Sequence, residues 1–315
     1  MKVFYSDEFV LPLPPGHRFP MQKYRMLRER VEAELTHIEL REAPIAGDRD
    51  LDLAHSRHYI EQVAQGNLDA AQQRLIGFPW SPQMVERSRR SAGATVAACR
   101  AALDEGLAVN LAGGTHHAHA AHGEGFCVFN DAAVAARVLQ RDARTRAAGA
   151  ADFPVAIIDL DVHQGNGTAA IFRDDPTVFT LSLHGEHNYP FQKARGDLDI
   201  ALPDGCSDVA YLQALGGALE RVFTWGTPRL IIYLAGADPH RGDRLGRLGL
   251  SQAGLEQRDA CVFEAASARH IPVAVAMAGG YGRDIDETVD IHLRTVQLAA
   301  AYQRKCAARA PRAVG

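Results

Sequence analysis

The sequence lacks an apolar run of the ~18 residues that a membrane-spanning helix needs. Its amino-terminal stretch, MKVFYSDEFVLPLPPGHR, has no continuous apolar segment behind a basic start, so no secretory signal is expected and the protein should be soluble and cytoplasmic. Excess positive charge is also missing. With 34 Lys and Arg against 38 Asp and Glu, the formal charge is −4, and no overall field draws the chain onto nucleic acid or anionic lipid. The five cysteines, Cys99, Cys127, Cys206, Cys261 and Cys306, are odd in number, scattered and without a C-x-x-C pair. That pattern excludes a disulfide framework and predicts five free thiols in a reducing compartment. Cys127 reads as a small buried hydrophobe. No Pro/Ser-rich linker, repeat or low-complexity tract divides residues 1–315, which read as one domain.

The 315 residues are 47% apolar and 23% charged, enough to build a large core. Five short runs rich in Val, Ile and Leu predict buried parallel strands: 107–112 (LAVNLA), 155–160 (VAIIDL), 178–183 (VFTLSL), 230–235 (LIIYLA) and 273–277 (VAVAM). Helical patterns separate them. One starts at Ser81-Pro82 and stops at Gly106, and others start at Asn130-Asp131, Ser207-Asp208 and Ser251. Strands alternating with crossover helices predict a doubly wound α/β sheet. The Arg-rich stretch 137–146 (RVLQRDARTR) has its charges interrupted by Ala, Gln and Asp, and reads as a solvated helix face.

Polar and glycine residues crowd the ends of these strands: GGTHH at 113–117, DVHQGNG at 161–167, HGEH at 184–187, GADPHRGD at 236–243 and GGYGRD at 279–284. In open α/β sheets ligands bind outside the carboxyl ends of the strands, so these segments should converge on one crevice. Asp161 and His163, two residues apart at a strand end, can point to one side and share a metal ion, with Asp238 arriving from a neighbouring strand. Three protein ligands leave coordination positions open for water and substrate, as catalytic sites require. His116 and His117 follow Gly113-Gly114, whose freedom permits a turn sharp enough for both to flank one substrate as acid/base groups. Tyr281 can aim its hydroxyl at an oxyanion opposite the metal.

With these residues in view, the chain resembles the histone deacetylase superfamily from HRFPMQKY at 17–24 to GGYGRD at 279–284. GGTHHA, GFCVFND, DLDVHQGNG, LAGADPHRGDRLG and AGGYG stand in the family's order and spacing. HRFPM, and Gln164 where many members have a second His, are most like the class IV branch and its bacterial relatives. The resemblance implies the arginase/deacetylase fold, a single-domain, mostly parallel sheet of about eight strands. It implies zinc held by Asp161, His163 and Asp238, for which iron(II) or cobalt substitutes in relatives. His117 is implied as general base and then acid, His116 as its electrostatic partner bonded to Asp159, Asn166 as the residue orienting His117, and Tyr281 as the electrophilic aid. Structural potassium is implied at Asp159, Asp161, His163, Ser182 and the Leu183 carbonyl, with a second ion on the carbonyls of Phe172, Asp175 and Val178.

The same resemblance implies an acyl-lysine channel bordered by Phe126, Gly125 and Gly280, with Leu245 at its mouth and either Tyr189 or Phe191 as the opposite wall. His119, His122 and His187 are expected near the mouth without catalytic duties. The expected reaction is hydrolysis of an N6-acyl-lysine amide in a protein or peptide. Hydrolysis of an acetylpolyamine or other small acyl-amine is the alternative, which Leu245 disfavours because polyamine-selective relatives place a glutamate there. An arginase-type enzyme would need further carboxylates where Asn166 stands, and a metal-free acyl-lysine reader would have lost a ligand or Tyr281. Because some class IV relatives prefer long fatty acyl groups, the acyl length is left open.

Overall fold

The computed structural model describes residues 1–146 and 152–309. Eight strands make one sheet: β1 (Lys2–Tyr5), β2 (Glu39–Glu42), β3 (Leu107–Asn110), β4 (Val155–Asp159), β5 (Val178–Gly185), β6 (Leu198–Leu202), β7 (Leu230–Ala235) and β8 (Val273–Met277). Their order is β2-β1-β3-β8-β7-β4-β5-β6 and every pairing is parallel. The helices are α1 (Gln22–Glu34), α2 (Asp48–Leu51), α3 (Arg57–Gln65), α4 (Ala70–Ile76), α5 (Pro82–Glu105), α6 (Asp131–Arg146), α7 (Asn166–Ile171), α8 (Asp208–Trp225), α9 (Gln252–Ser267) and α10 (Ile285–Arg309).

Alternate residues along the central strands enter two separate cores. Ala156, Ile158, Ile231 and Tyr233 pack with α1, α8, α9 and α10, whereas Val155, Ile157, Ile232 and Leu234 pack with α3, α4, α5 and α6. A strand covered on both faces has no polar side to show, which is why β7 and β8, and β4 up to its last residue Asp159, are continuous apolar runs. β7 and β8 have the expected bounds. β3 stops at Asn110, short of the predicted 112, because Asn110 Oδ1 accepts the Ala112 N–H and turns the chain. β4 likewise stops at Asp159, whose Oδ1 accepts the Asp161 N–H. The apolar-run reading misses β1, β2 and β6; β2 and β6 are the two edges of the sheet, half exposed and accordingly polar.

Helix starts follow their caps. Ser81, Ser207 and Ser251 accept the N–H groups of Met84, Ala210 and Gly254, and Asn130 accepts that of Ala133. The arginines of α6 are paired outward, Arg137 with Asp175 and Arg141 with Asp50, so the stretch is a solvated face as expected. Cys99, Cys127, Cys206 and Cys261 are free and Cys127 is buried; the side chain of Cys306 lies outside the described residues. Among the described residues no helix is long and apolar enough to cross a membrane.

The long segment between β3 and α6 is pinned by buried His55. Its Nε2 accepts the Asn130 N–H at 2.9 Å, so its proton is on Nδ1, which donates to the His119 carbonyl at 2.9 Å. Burial lowers the His55 pKa to about 4, against the bonds that favour protonation. Because the folded value is depressed, the unfolded chain takes the proton first, and the stability contributed by neutral His55 is complete above pH 6.5 and lost as pH falls toward 4. That window corresponds to about 3 kcal/mol. Urea unfolding across pH 7 to 4 should therefore show a steeper acid loss for the wild type than for His55→Gln, which starts less stable at pH 7; parallel profiles would contradict this.

Candidate active site

β3, β8, β7 and β4 are consecutive in the sheet, and all point the same way, so their four following loops meet at one edge. A cavity of about 390 Å³ opens there. It is lined by His116 and His117 from the loop after β3, Asp161 and His163 after β4, and Gly279 and Tyr281 after β8. Asp238, after β7, is fully buried beside them.

Asp161, His163 and Asp238 place one ligand atom each within 4.8 Å of one another. The first two lie in a bend past the end of β4 rather than on the strand, and the bend is closed by the His163 N–H donating to Asp161 Oδ1 at 2.9 Å. Asp161 Oδ2 accepts the Gly279 N–H at 2.6 Å, and Asp238 Oδ1 accepts the Val162 N–H at 3.0 Å. Asp238 Oδ2 has no hydrogen bond at all and stands 3.3 Å from His163 Nδ1. Burial and the neighbouring Asp161 raise the Asp238 carboxyl to about 7. Burial disfavours charge on Asp161 too, but His116 and His163 hold it well below the usual carboxylate range. Burial opposes protonation of His163 while Asp161 and Asp238 raise it to about 10. Two buried carboxylates and an imidazole around an orphaned oxygen form a donor set that suits a divalent cation. At Gly279 a Cβ would come within 1.8 Å of Asp238 Oδ2, so only glycine lets the loop after β8 close over this group.

The two histidines are adjacent, with ring centroids 4.1 Å apart, yet differ electrically. His116 Nδ1 lies 2.6 Å from Asp159 Oδ2; burial pulls its pKa down, but Asp159 and Asp161 overcome that and raise it to about 9. His117 is lowered well below its ordinary value by burial and by the charges of His116 and His163. Its Nδ1 is 2.6 Å from Asn166 Oδ1. Asn166 Nδ2 donates to Glu124 Oε1 at 2.5 Å, and since a carboxylate only accepts, the amide must turn its oxygen to His117. Nδ1 of His117 is therefore the protonated nitrogen and Nε2 carries the lone pair. Gly125, next to Glu124, fits against the His117 ring, where a Cβ would lie 2.6 Å from Cδ2, and has φ +55°.

Phe126 and Tyr189 line the cavity, and Tyr189 meets the His117 ring edge-on at 4.9 Å. Of the two aromatic candidates Tyr189 lines the cavity, whereas Phe191 is 88% exposed and does not. Leu245 lines the cavity, whereas Gly280 does not: it lies behind the lining against Thr288 and His292, because the turn presents Gly279 and Tyr281 instead. Tyr281 is buried and its phenol is raised well above 10, by burial first and then by Tyr24, Asp161 and Asp238, so it remains a donor. Asp243 Oδ2 accepts the Tyr281 N–H at 2.6 Å and its Oδ1 accepts the Leu245 N–H, joining the two loops. Lys23, buried in α1, donates to the carbonyls of Ala278 and Gly280.

Ser182 sits beside Asp159 in the register of β5 and β4, its hydroxyl 2.9 Å from His184 Nδ1, and Leu183 follows it. Phe172, Asp175 and Val178 share the turn from α7 into β5, where the Phe172 carbonyl accepts the Asp175 N–H. His119 and His122 stack on each other beside Glu124, and His187 is exposed beside Asp204. Sequence reasoning missed Glu124, Asp243, Lys23 and above all Asp131. Asp131 Oδ1 accepts the Thr115 N–H and hydroxyl, and Oδ2 accepts the Gly114 N–H and the Thr95 hydroxyl. Its position at a helix start invites a capping role, and no local signal shows that it holds the turn bearing both histidines.

Residues 17–296 match the histone deacetylase domain. An uncharacterized protein of Picosynechococcus sp. is 44% identical over 292 residues, 92% of this chain and 95% of its own length. Histone deacetylase 2 of Arabidopsis thaliana is 33% identical over 241 residues, 74% of this chain and 60% of its own. The histone deacetylase-like amidohydrolase of Pseudomonas aeruginosa is 30% identical over 292 residues, 86% and 74% of the two chains. A solved HDAC homolog complexed with SAHA superposes with a TM-score of 0.81 at 25% identity, covering 97% of this chain and 87% of that one.

Asp131→Asn puts an NH2 group where one carboxylate oxygen now accepts two donors, so a buried donor faces donors. The expected loss is about 1–3 kcal/mol, with a lower kcat because the His116–His117 turn loosens. Thermal unfolding and steady-state kinetics check both; unchanged kcat in a destabilised variant would remove Asp131 from the support of the site.

Proposed function

Because this chain belongs to the histone deacetylase family and is a hydrolase of that family, we propose that residues 1–315 act as one catalytic domain that removes an acyl group from the side chain of a lysine in a protein or peptide. The observation that carries this reading is that a neutral, Nδ1-protonated His117 shares one cavity with His163, behind which stands the orphaned buried carboxylate oxygen of Asp238.

Asp161, His163 and Asp238 would hold the ion, zinc in the first instance, with iron(II) or cobalt as substitutes. When bound, such an ion polarises an acyl carbonyl and acidifies water. His117 takes the proton of the attacking water on Nε2 and passes it to the leaving amine, which neutral imidazole suits and imidazolium does not. Asn166 holds the ring in that tautomer, and His116, charged through Asp159, keeps His117 from being protonated beforehand. The Tyr281 hydroxyl donates to the oxyanion as it forms. Potassium ions are assigned to Asp159, Asp161, His163, Ser182 and Leu183, and to the carbonyls of Phe172, Asp175 and Val178. Phe126, Gly125 and Tyr189 border the aliphatic stem of the acylated lysine, with Leu245 at the mouth.

Two experiments test this reading. Asp238→Asn should fold, hold one metal ion fewer than the wild type by elemental analysis and lose activity, and His117→Ala should cost about 10²-fold or more in kcat, beyond the loss in His116→Ala. Full activity with the wild-type metal content in Asp238→Asn, or equal impairment of the two histidine variants at every pH, would contradict the assignment.

A panel of lysine peptides bearing acetyl, crotonyl, octanoyl and myristoyl groups, run beside N8-acetylspermidine, tests the substrate. Leu245 offers no partner for the distal ammonium of a polyamine, whose desolvation is unfavourable. Peptides should therefore have the higher kcat/KM, and Leu245→Glu should move the ratio toward the polyamine. Preference of the unmodified enzyme for acetylspermidine would replace lysine with a small acyl-amine as the substrate.

A further inference from the structure

Beside the site described above, the loop leading to Gly125 gathers His119, His122 and Glu124. The His119 N–H donates to the His122 carbonyl at 2.9 Å, folding the segment so that the two imidazoles stack, ring centroids 4.4 Å apart and 13° from parallel. Glu124 faces both, with Oε2 at 3.6 Å from His122 Nε2 and Oε1 at 3.9 Å from His119 Nε2. One ligand atom from each of the three lies within 4.8 Å of the others. Tetrahedral zinc with ligand bonds near 2.1 Å separates its ligands by roughly 3.4 Å, so small rotations of these side chains suffice. The His122 side chain is 39% exposed and that of Glu124 11%, leaving an entry side and an inner side.

The inner side is occupied by Asn166. Its Nδ2 is 2.5 Å from Glu124 Oε1 and 3.2 Å from His119 Nε2, so one amide supplies donors to two atoms of the cluster. An imidazole nitrogen that accepts a hydrogen bond has the lone pair that a metal needs. Burial, and His122 next to it, lower the His119 pKa and keep it neutral, and bonds from His122, Asn166 and Tyr189 hold Glu124 ionised at about 2 against its burial. Two imidazoles and a carboxylate favour zinc-class cations over magnesium or calcium.

We propose that His119, His122 and Glu124 form a second zinc-class metal site at the rim of the cavity, and that filling it takes His119 Nε2 away from Asn166 and loosens His117. The loosening rests on the role given to His117 above; the metal site itself does not. Losing one of two acceptors, the Asn166 amide is less firmly fixed, and its Oδ1 no longer holds the His117 tautomer as tightly.

The test uses the whole chain stripped of metal and titrated with Zn²⁺ alone, counted by elemental analysis after desalting. Wild type should retain two ions per chain, His122→Ala and the His119→Ala/His122→Ala double variant one, and Asp238→Asn one, held at the rim. Cobalt(II) should give a second ligand-field absorption in wild type that His122→Ala lacks. The second zinc equivalent should lower the wild-type rate by ~10-fold or more, the range that loss of an orienting partner carries, and leave the rate of His122→Ala where the first equivalent set it. A double variant that retains two ions, or a wild type that retains one ion and loses it in Asp238→Asn, overturns the rim site. Two ions in wild type with no effect of the second on rate overturns the coupling to His117. If Asp238→Asn kept the wild-type count while His122→Ala lost an ion, the rim site would stand and the assignment of Asp238 as a ligand would fall.

Discussion

Three carboxylates, Asp159, Asp161 and Asp238, lie within two percent of full burial at one edge of the sheet. Removing an anion from water costs several kcal/mol, which only matched donors or cations offset. Nearly every feature of the loops after β3, β4, β7 and β8 supplies such compensation. Backbone N–H groups of Asp161, Val162, His163 and Gly279 point at carboxylate oxygens, and His116 stands against Asp159. Beneath them Arg258, also fully buried, donates to the carbonyls of Leu160 and Gly236 while paired with Asp259, which ties the stems of the β4 and β7 loops together. The Asp238 Oδ2 atom is what the chain's own donors leave unanswered.

The same surplus of negative charge separates the two histidines. His116 receives a carboxylate and becomes a cation; His117 receives a neutral amide and remains a base, held down further by the charge next door. Environments that push neighbouring titratable groups apart are how one site holds an electrostatic stabiliser and a proton acceptor at the same pH. Glu124 extends that logic outward. Through Asn166 it fixes which nitrogen of His117 carries the proton.

The lining of the cavity is mixed. Rings and aliphatic groups, Phe126, Tyr189, Tyr281 and Leu245, line part of the wall, Asp161 and His163 stand at the polar end, and Lys23, Arg74 and Arg87 add positive charge elsewhere on the lining. At the polar end low dielectric strengthens each interaction. Glycine makes the close approach workable at two places, Gly125 against His117 and Gly279 against Asp238.

Much of this was legible in residue order. A strand buried on both faces is apolar along most of its length, so β4, β7 and β8 announce themselves, and the polar residues that follow, among them Asp161, His163, Asp238 and Tyr281, stand where the strands have ended. Serine and asparagine caps at 81, 130, 207 and 251 are equally local, because a cap bonds within three residues of itself. Local order alone does not show β2 and β6, since an edge strand meets solvent and loses the apolar signature. It says nothing of Asp131 bracing the turn at Gly114 and Thr115, of Glu124 holding Asn166 from 42 residues away, or of Tyr189 rather than Phe191 facing His117. Residue order by itself determined which segments are buried and where each one ends, since period and polarity are properties of neighbours along the chain. Which of those ends become neighbours in space, and hence which donor answers which carboxylate, was decided only by the strand order β3-β8-β7-β4, because partners so far apart in sequence are chosen by packing and charge compensation in three dimensions.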